Sequence, residues 1–149
     1  MGWIDQRGSR VLPRNECLRL LAVHAGHVGR IGLVEAGHAV IEPVIYRMLD
    51  HDVVIQVGPG SLLDAAAHQS VVSFEVDSLE PSEAWSVLIR GPARRVADDA
   101  VTGHALPAGA TPLVPEPGSS FVVIRTDVVS GRHFLLRPGS SSAPRAESR

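Results

Sequence analysis

Hydrophobic and polar positions follow two rhythms along the chain. Cys17, Leu20, Leu21 and His24 fall at i, i+3, i+4 and i+7, a single stripe that predicts a short amphipathic helix. Asn15 is placed to cap that helix and Gly26 to stop it. After it the period changes to two. Gly29, Ile31 and Leu33 share one face of residues 28–34, and Glu35-Ala36-Gly37-His38 makes a hairpin connection to a second extended run, residues 39–46. Pro43 lacks an N–H, so this run is expected at an edge, a bulge or a kink. Asp50-His51-Asp52 marks a turn before the β-branched run of residues 53–57. The clearest alternation is Val72, Phe74 and Val76 against Ser73, Glu75 and Asp77, whose polar side reads as a solvated face. Beyond a loop at residues 78–83, Trp85, Val87 and Ile89 alternate with Ser86, Leu88 and Arg90 in a strand that runs past Gly91-Pro92 toward Val96. Residues 121–124 and 128–136 read as two closing strands.

Between these runs the breakers are clear. Gly58-Pro59-Gly60 ends a strand, and Ser61-Leu62-Leu63-Asp64 has the capping-box form that opens a short Ala-rich helix through about His68. Asp98-Asp99 is placed to start a further helix, which Pro107, Pro112, Pro115 and Pro117 keep from growing long; residues 97–118 are otherwise hard to read. Residues 1–12 read as an arm, 13–137 as one domain, and 138–149 as a polar, low-complexity tail expected to be disordered. Six or seven short strands with two or three short helices, and no βαβ alternation, make the chain mainly β. The pattern predicts an antiparallel barrel or sandwich and leaves the kind of barrel open.

Composition narrows the chemistry. The 149 residues suit one domain, and a net charge of −2 is the wrong sign for a strong non-specific nucleic-acid binder. Every basic residue is an arginine, so Schiff-base catalysis by a lysine is excluded. One cysteine, Cys17, allows no internal disulfide and reads as a small buried hydrophobe. No stretch of about 20 apolar residues spans a membrane, and nothing at the start resembles a secretory signal, so a cytoplasmic protein is expected. His24 and His27 lack the companions of a four-ligand metal set, and no metal site is expected. His133 is a candidate proton donor because histidine titrates near neutrality, and a role for Arg132 beside it is left open. No nucleophile motif is present, and no catalytic residue is assigned.

Several stretches, in order, carry a resemblance. Glu16 to Leu21 (ECLRLL) followed by VGRIGLV, then PVIY at 43–46, VSFEVD leading to WSVLIRGPARRV, and SGRHF at 130–134, resemble the pyridoxamine 5′-phosphate oxidase-like, FMN-binding split-barrel family, in its actinobacterial form. The resemblance implies an antiparallel split β-barrel with two or three short helices. It also implies a homodimer with two cofactor sites at the subunit interface, each holding FMN or a deazaflavin, with the ring along the second and third strands. Carried over by position, Pro43, Val44, Ile45 and Tyr46 line the ring, Gln56 and Val57 lie beneath the ribityl chain, and Ser61 and Leu62 sit at the phosphate. Trp85 and Ser86 contribute from the strand after the loop, in the partner subunit.

The chain departs from that pattern where charge matters most. Gln56 stands for the family's phosphate arginine, Val57 for the following threonine, Leu62 for the phosphate lysine, and Ala84 for the glycine before WSV. Each lost charge-assisted hydrogen bond costs about 1.5–3 kcal/mol, so two such losses weaken FMN by about two to four decades if additive. Two functions follow from the resemblance. One is a flavin- or deazaflavin-dependent oxidoreductase acting on an unknown small molecule. The other is a degenerate, non-catalytic binding or regulatory homodimer that no longer holds FMN tightly.

Overall fold

A helix and two strands that form a hairpin begin the domain, and the way they start already departs from the simplest pattern. The computed structural model describes residues 9–103 and 114–136; the expected tail at 138–149 and most of the proline-rich stretch before Val114 lie outside them. Ser9–Leu12, the end of the expected arm, form strand β1 and pair antiparallel with β8 (Val128–Leu135). Helix α1 (Arg14–Val23) is entered through Pro13, whose carbonyl accepts from the N–H groups of Glu16 and Cys17, each at 3.1 Å. Pro13 therefore holds the N-cap place that the sequence suggested for Asn15. Arg10 grips Glu16 through two bonds of 3.1 and 3.0 Å, which holds that carboxyl below its usual range and pins the first turn to β1.

Strands β2 (Val28–Glu35) and β3 (His38–Leu49) meet through Ala36 and Gly37, both with positive φ, the hand that a two-residue hairpin needs. Next come β4 (Asp52–Val57), α2 (Ser61–Ala67), β5 (Val71–Leu79), β6 (Glu83–Val96), α3 (Asp98–Thr102) and β7 (Ser120–Ile124). The expected loop at 78–83 shrinks because β5 and β6 stay paired out to Leu79 and Ala84. The count is eight strands and three helices among the described residues.

The strand order β6-β5-β2-β3-β4-β7, with β7 returning to β6, closes an antiparallel six-stranded barrel, and β8 and β1 extend it beyond β6. Two strands are long enough to serve both of its sheets. β3 pairs with β2 through Ile45 and with β4 from Tyr46 onward. β6 pairs with β5 and β8 along its first part and with β7 from Ala93 to Val96. The fold is thus the split barrel that the motifs implied.

The alternating residues meet inside. Ile31, Phe74, Val76, Val87 and Ile89 are fully buried, together with Val53 and Ile55 from β4. Cys17 and Leu21 bring α1 onto this core, and Leu62 and Ala66 bring α2. Val101 of α3 covers a smaller cluster on the other side of β4 and β7, with Val54, Phe121 and Val123. Arg14 donates to the carbonyl of Thr126 at 2.7 Å, and the buried Thr126 hydroxyl donates to His51 O at 3.0 Å, so α1 is tied to the turn between β7 and β8. Among the described residues no helix is long and apolar enough to cross a membrane.

Candidate functional site

Where β3 changes sheets, the barrel opens. The last β3–β4 pair is Tyr46 with Ile55; beyond it β3 continues beside β2 while Gln56 and Val57 continue beside β7. The two strands part like a fork. The facing edge of β3, from His38 to Ile45, makes no ladder with β4, so its backbone donors and acceptors on that side are left for another partner. Pro43, Val44, Ile45, Gln56 and Val57 lie on the two strands that part at this fork. Pro43 is therefore in an edge stretch, which reconciles a proline with a long strand.

The corner is set by Tyr46. Its side chain is fully buried, its hydroxyl donates to Leu21 O at 2.6 Å, and its ring meets Phe74 at 5.1 Å. Burial pushes the phenol well above its ordinary pKa. Gly26 N–H donates to Tyr46 O at 2.8 Å, so the end of α1 is stitched to the same residue. Of the four positions expected to line a ring, Tyr46 faces the core and Val44 packs against it, while Pro43 and Ile45 face outward, Ile45 being 53% exposed.

The expected phosphate corner has other occupations. Gln56 Nε2 donates to Val114 O and to Ser119 Oγ, both at 2.9 Å, and so ties the segment before β7 to the end of β4. Leu62 is 3% exposed and belongs to the core. Ser61 is the first residue of α2 and makes no capping bond; Gly60 is the N-cap, and its carbonyl receives the Asp64 N–H at 3.0 Å. The capping-box pattern is present in the sequence without the box.

Beside α2 lies a cleft of about 370 Å³. Its walls are residues 33–36 of the β2–β3 hairpin, Ser61, Asp64, Ala65 and His68 of α2 and its end, and residues 70–72. The carboxylates of Glu35 and Asp64 line it, and no arginine does. Sequence reasoning missed this cleft, since its polar residues come from elements far apart in the chain. A phosphate dianion is not matched here: the Gln56 amide is engaged, Leu62 is turned inward, and the adjoining cleft is acidic. An apolar ring system is matched better, by Val44, Val57 and the free edge of β3.

Trp85 and Ser86 stand apart from the fork, on the first part of β6. Trp85 faces inward with Val87 and meets the His24 ring edge to face at 4.8 Å. Its cross-strand neighbour is His133, whose Nε2 lies 2.8 Å from Glu83 Oε2. Ser86 faces outward between Asp77 and Arg132, and Arg132 donates to Ser9 Oγ at 3.1 Å. Within one chain the structure does not bring Trp85 and Ser86 together with the fork residues. His24 and His27 rings lie 5.0 Å apart, and no cluster able to hold a metal occurs among the described residues.

Glu75 corrects a second expectation. It is half-buried rather than solvated, with Arg30 Nη1 placed 3.2 Å from its carboxylate and 3.4 Å from that of Asp77. Burial first, and then the neighbouring Asp77 carboxylate, push Glu75 up to about 7 against the pull of Arg30.

Residues 13–138 match the family model described as Pyridoxamine 5′-phosphate oxidase. The chain belongs to that family. Among solved structures it is similar to an FAD binding protein from Mycobacterium smegmatis, with 30% identity over 83% of this chain and 98% of the other and a TM-score of 0.66. It is also similar to a protein of unknown function from Corynebacterium diphtheriae, with 27% identity over 85% of this chain and 98% of the other and a TM-score of 0.62. An FAD-binding protein from Mesorhizobium loti shares the fold at 22% identity, covering 85% of this chain and 98% of the other with a TM-score of 0.65. Curated proteins give no match. Membership in the pyridoxamine 5′-phosphate oxidase family agrees with the split barrel.

Proposed function

We propose that this chain binds a flavin or deazaflavin, with the ring laid along the free edge of β3 at the fork, and serves as a cytoplasmic oxidoreductase. The observation that carries the reading is the fork itself, an unpaired strand edge flanked by Val44 and Val57. The same fold in a relative described as FAD binding, 30% identical over 83% of this chain, supports it. When bound, such a group supplies the hydride chemistry. The chain supplies apolar contact from Val44, Ile45 and Val57 and backbone hydrogen bonds from β3. No acid, base or nucleophile stands among Pro43, Val44, Ile45 and Val57, which suits a site whose reactivity resides in its ligand.

A second reading is favoured by one specific observation. Gln56 and Leu62 leave the expected phosphate corner without a cation, as in a binding or regulatory module that has kept the fold alone. Titration of the purified protein with FMN, FAD and a deazaflavin cofactor, followed by ligand fluorescence, separates the two. The first reading predicts binding with weak dependence on salt, because Gln56 and Leu62 at the expected phosphate corner carry no charge. It also predicts that Gln56→Arg tightens FMN about tenfold. No binding of any of the three at tens of micromolar leaves the second reading standing.

A further inference from the structure

On the inner face of β6, β5, β2 and β3 the core runs in cross-strand rows, and one row ends on a charge. Ile89 stands beside Phe74, Phe74 beside Ile31, and Ile31 beside Glu42, the first three fully buried. Exposure along β3 alternates in step. Val40, Glu42 and Val44 are half-buried on the side of the buried Tyr46, while Ile41, Pro43 and Ile45 are exposed on the other. Period two asks for an apolar residue at position 42. The chain puts a carboxylate there instead, on the stretch of β3 that β4 leaves unpaired.

Among the described residues nothing answers that carboxylate. Glu42 makes no ion pair and no side-chain hydrogen bond there. Arg10, Arg30 and Arg125 each face a different carboxylate, and Arg47, on the opposite face of β3, donates to Tyr46 O at 3.1 Å. Glu35 and Asp64 line the cleft beside α2, but Glu42 is not among its walls, so its charge belongs to the fork. Water serves the carboxylate while the fork is open. Val40 and Val44 flank it at about 7 Å along the strand, so a ring packed on Val44 along this edge covers it. Covering strips that water, and an ionised carboxylate left without a donor is costly. A ring that turns an N–H or a positive charge toward it restores what is lost, whereas an anionic ring adds repulsion.

We infer that Glu42 is the specificity-determining residue of the fork and selects a ring that presents an N–H or a positive charge to it over a ring that is anionic there. Resting on the fork as the ligand site, this selection narrows the choice left open above. An uncharged flavin ring, which keeps its N–H, is taken ahead of a hydroxydeazaflavin ring, which is an anion in mildly alkaline solution. The preference is separate from the phosphate corner, because it acts on the ring alone.

Fluorescence titration of the full chain in mildly alkaline buffer reads the selection with three tricyclic probes that carry no phosphate: proflavine, a cation; riboflavin, uncharged; and 8-hydroxy-5-deazariboflavin, an anion. Glu42→Gln, with circular dichroism confirming the fold, is expected to weaken proflavine about tenfold and to tighten the deazariboflavin about tenfold, while riboflavin changes by less than about threefold. Glu42→Leu, which extends the apolar row, is expected to move the two charged probes in the same directions, and Asp64→Asn to move neither. If riboflavin binds and Glu42→Gln leaves the charged probes where they were, the carboxylate only guards the open edge against strand addition, and the selection is overturned while the fork stands. A proflavine affinity that falls with Asp64→Asn and not with Glu42→Gln puts the cation in the cleft beside α2 and overturns it as well. Failure of all three probes to bind at hundreds of micromolar overturns the fork and the selection together.

Discussion

β3 and β6 solve the same problem in opposite ways. Each is a long strand that belongs to both sheets, and each must leave one neighbour and take up another. At β6 the change is sealed. Gly91 lets the Arg125 backbone approach so closely that a Cβ would overlap its carbonyl, Arg125 N–H donates to Pro92 O at 3.1 Å, and Ala93 N–H donates to Ser70 O at 3.0 Å. At β3 the change is left open, with Tyr46 fixing the corner from inside and nothing from β4 pairing the edge beyond it. A strand crossing that is stitched by backbone holds the barrel shut; one that is anchored by a side chain leaves a row of free backbone groups. The second kind is where a ligand finds hydrogen bonds on an otherwise rigid scaffold.

The contrast is broken most directly at Gly91. Gly91→Ala forces a methyl group onto a backbone carbonyl that has no freedom to move, and we expect a loss of about 3 kcal/mol in chemical denaturation. Tyr46→Phe tests the other crossing. It removes a buried hydroxyl bonded to Leu21 O without changing the packing against Phe74, with an expected cost of about 1–2 kcal/mol and a measurable loosening of the end of α1 by hydrogen exchange. A cost equal to that of Gly91→Ala would show that the β3 corner is as tightly built as the β6 one. Gln56→Ala is the mildest. Its two bonds sit near the surface, so less than about 1 kcal/mol of stability is expected to go, while the amides of residues 114–119 exchange faster. Unchanged exchange there would show that the segment before β7 is held by something other than Gln56.

How much of this is legible in the sequence depends on the kind of signal each part leaves. Val72, Phe74 and Val76 announce their strand because one face is core and the other is not, and period two follows directly. β1 is silent, since Ser9-Arg10-Val11-Leu12 is too short to show a period and owes its conformation to β8. The crossings at Tyr46 and Gly91 are silent too, because a strand that changes partners keeps its alternation. Ser61-Leu62-Leu63-Asp64 misleads for a simple reason: Gly60 already sits at the N-cap, so the serine hydroxyl has no cap to make. The fork residues are reached through resemblance to a family, not through their chemistry, for Pro, Val and Ile carry none. Glu75 differs in another way. Alternation places it correctly on the outer face, but the register that sets Arg30 and Asp77 beside it is a property of three-dimensional pairing. The acidic lining of the cleft, from Glu35 and Asp64, is likewise assembled from segments that only the fold brings together.

An unpaired strand edge carries a hazard as well as an opportunity. The stretch of β3 from His38 to Ile45 offers the template on which a strand of another molecule adds itself, the first step toward disordered sheet growth. Two residues in it work against that outcome. Pro43 gives no N–H to a newcomer, and Glu42 sets a carboxylate beside it, so a strand laid there finds a gap in the ladder and a charge to desolvate. A small, shaped ligand does not need every rung. The edge is therefore selective by length: open to a compact molecule that uses a few backbone groups, and closed to a continuous chain that would need them all.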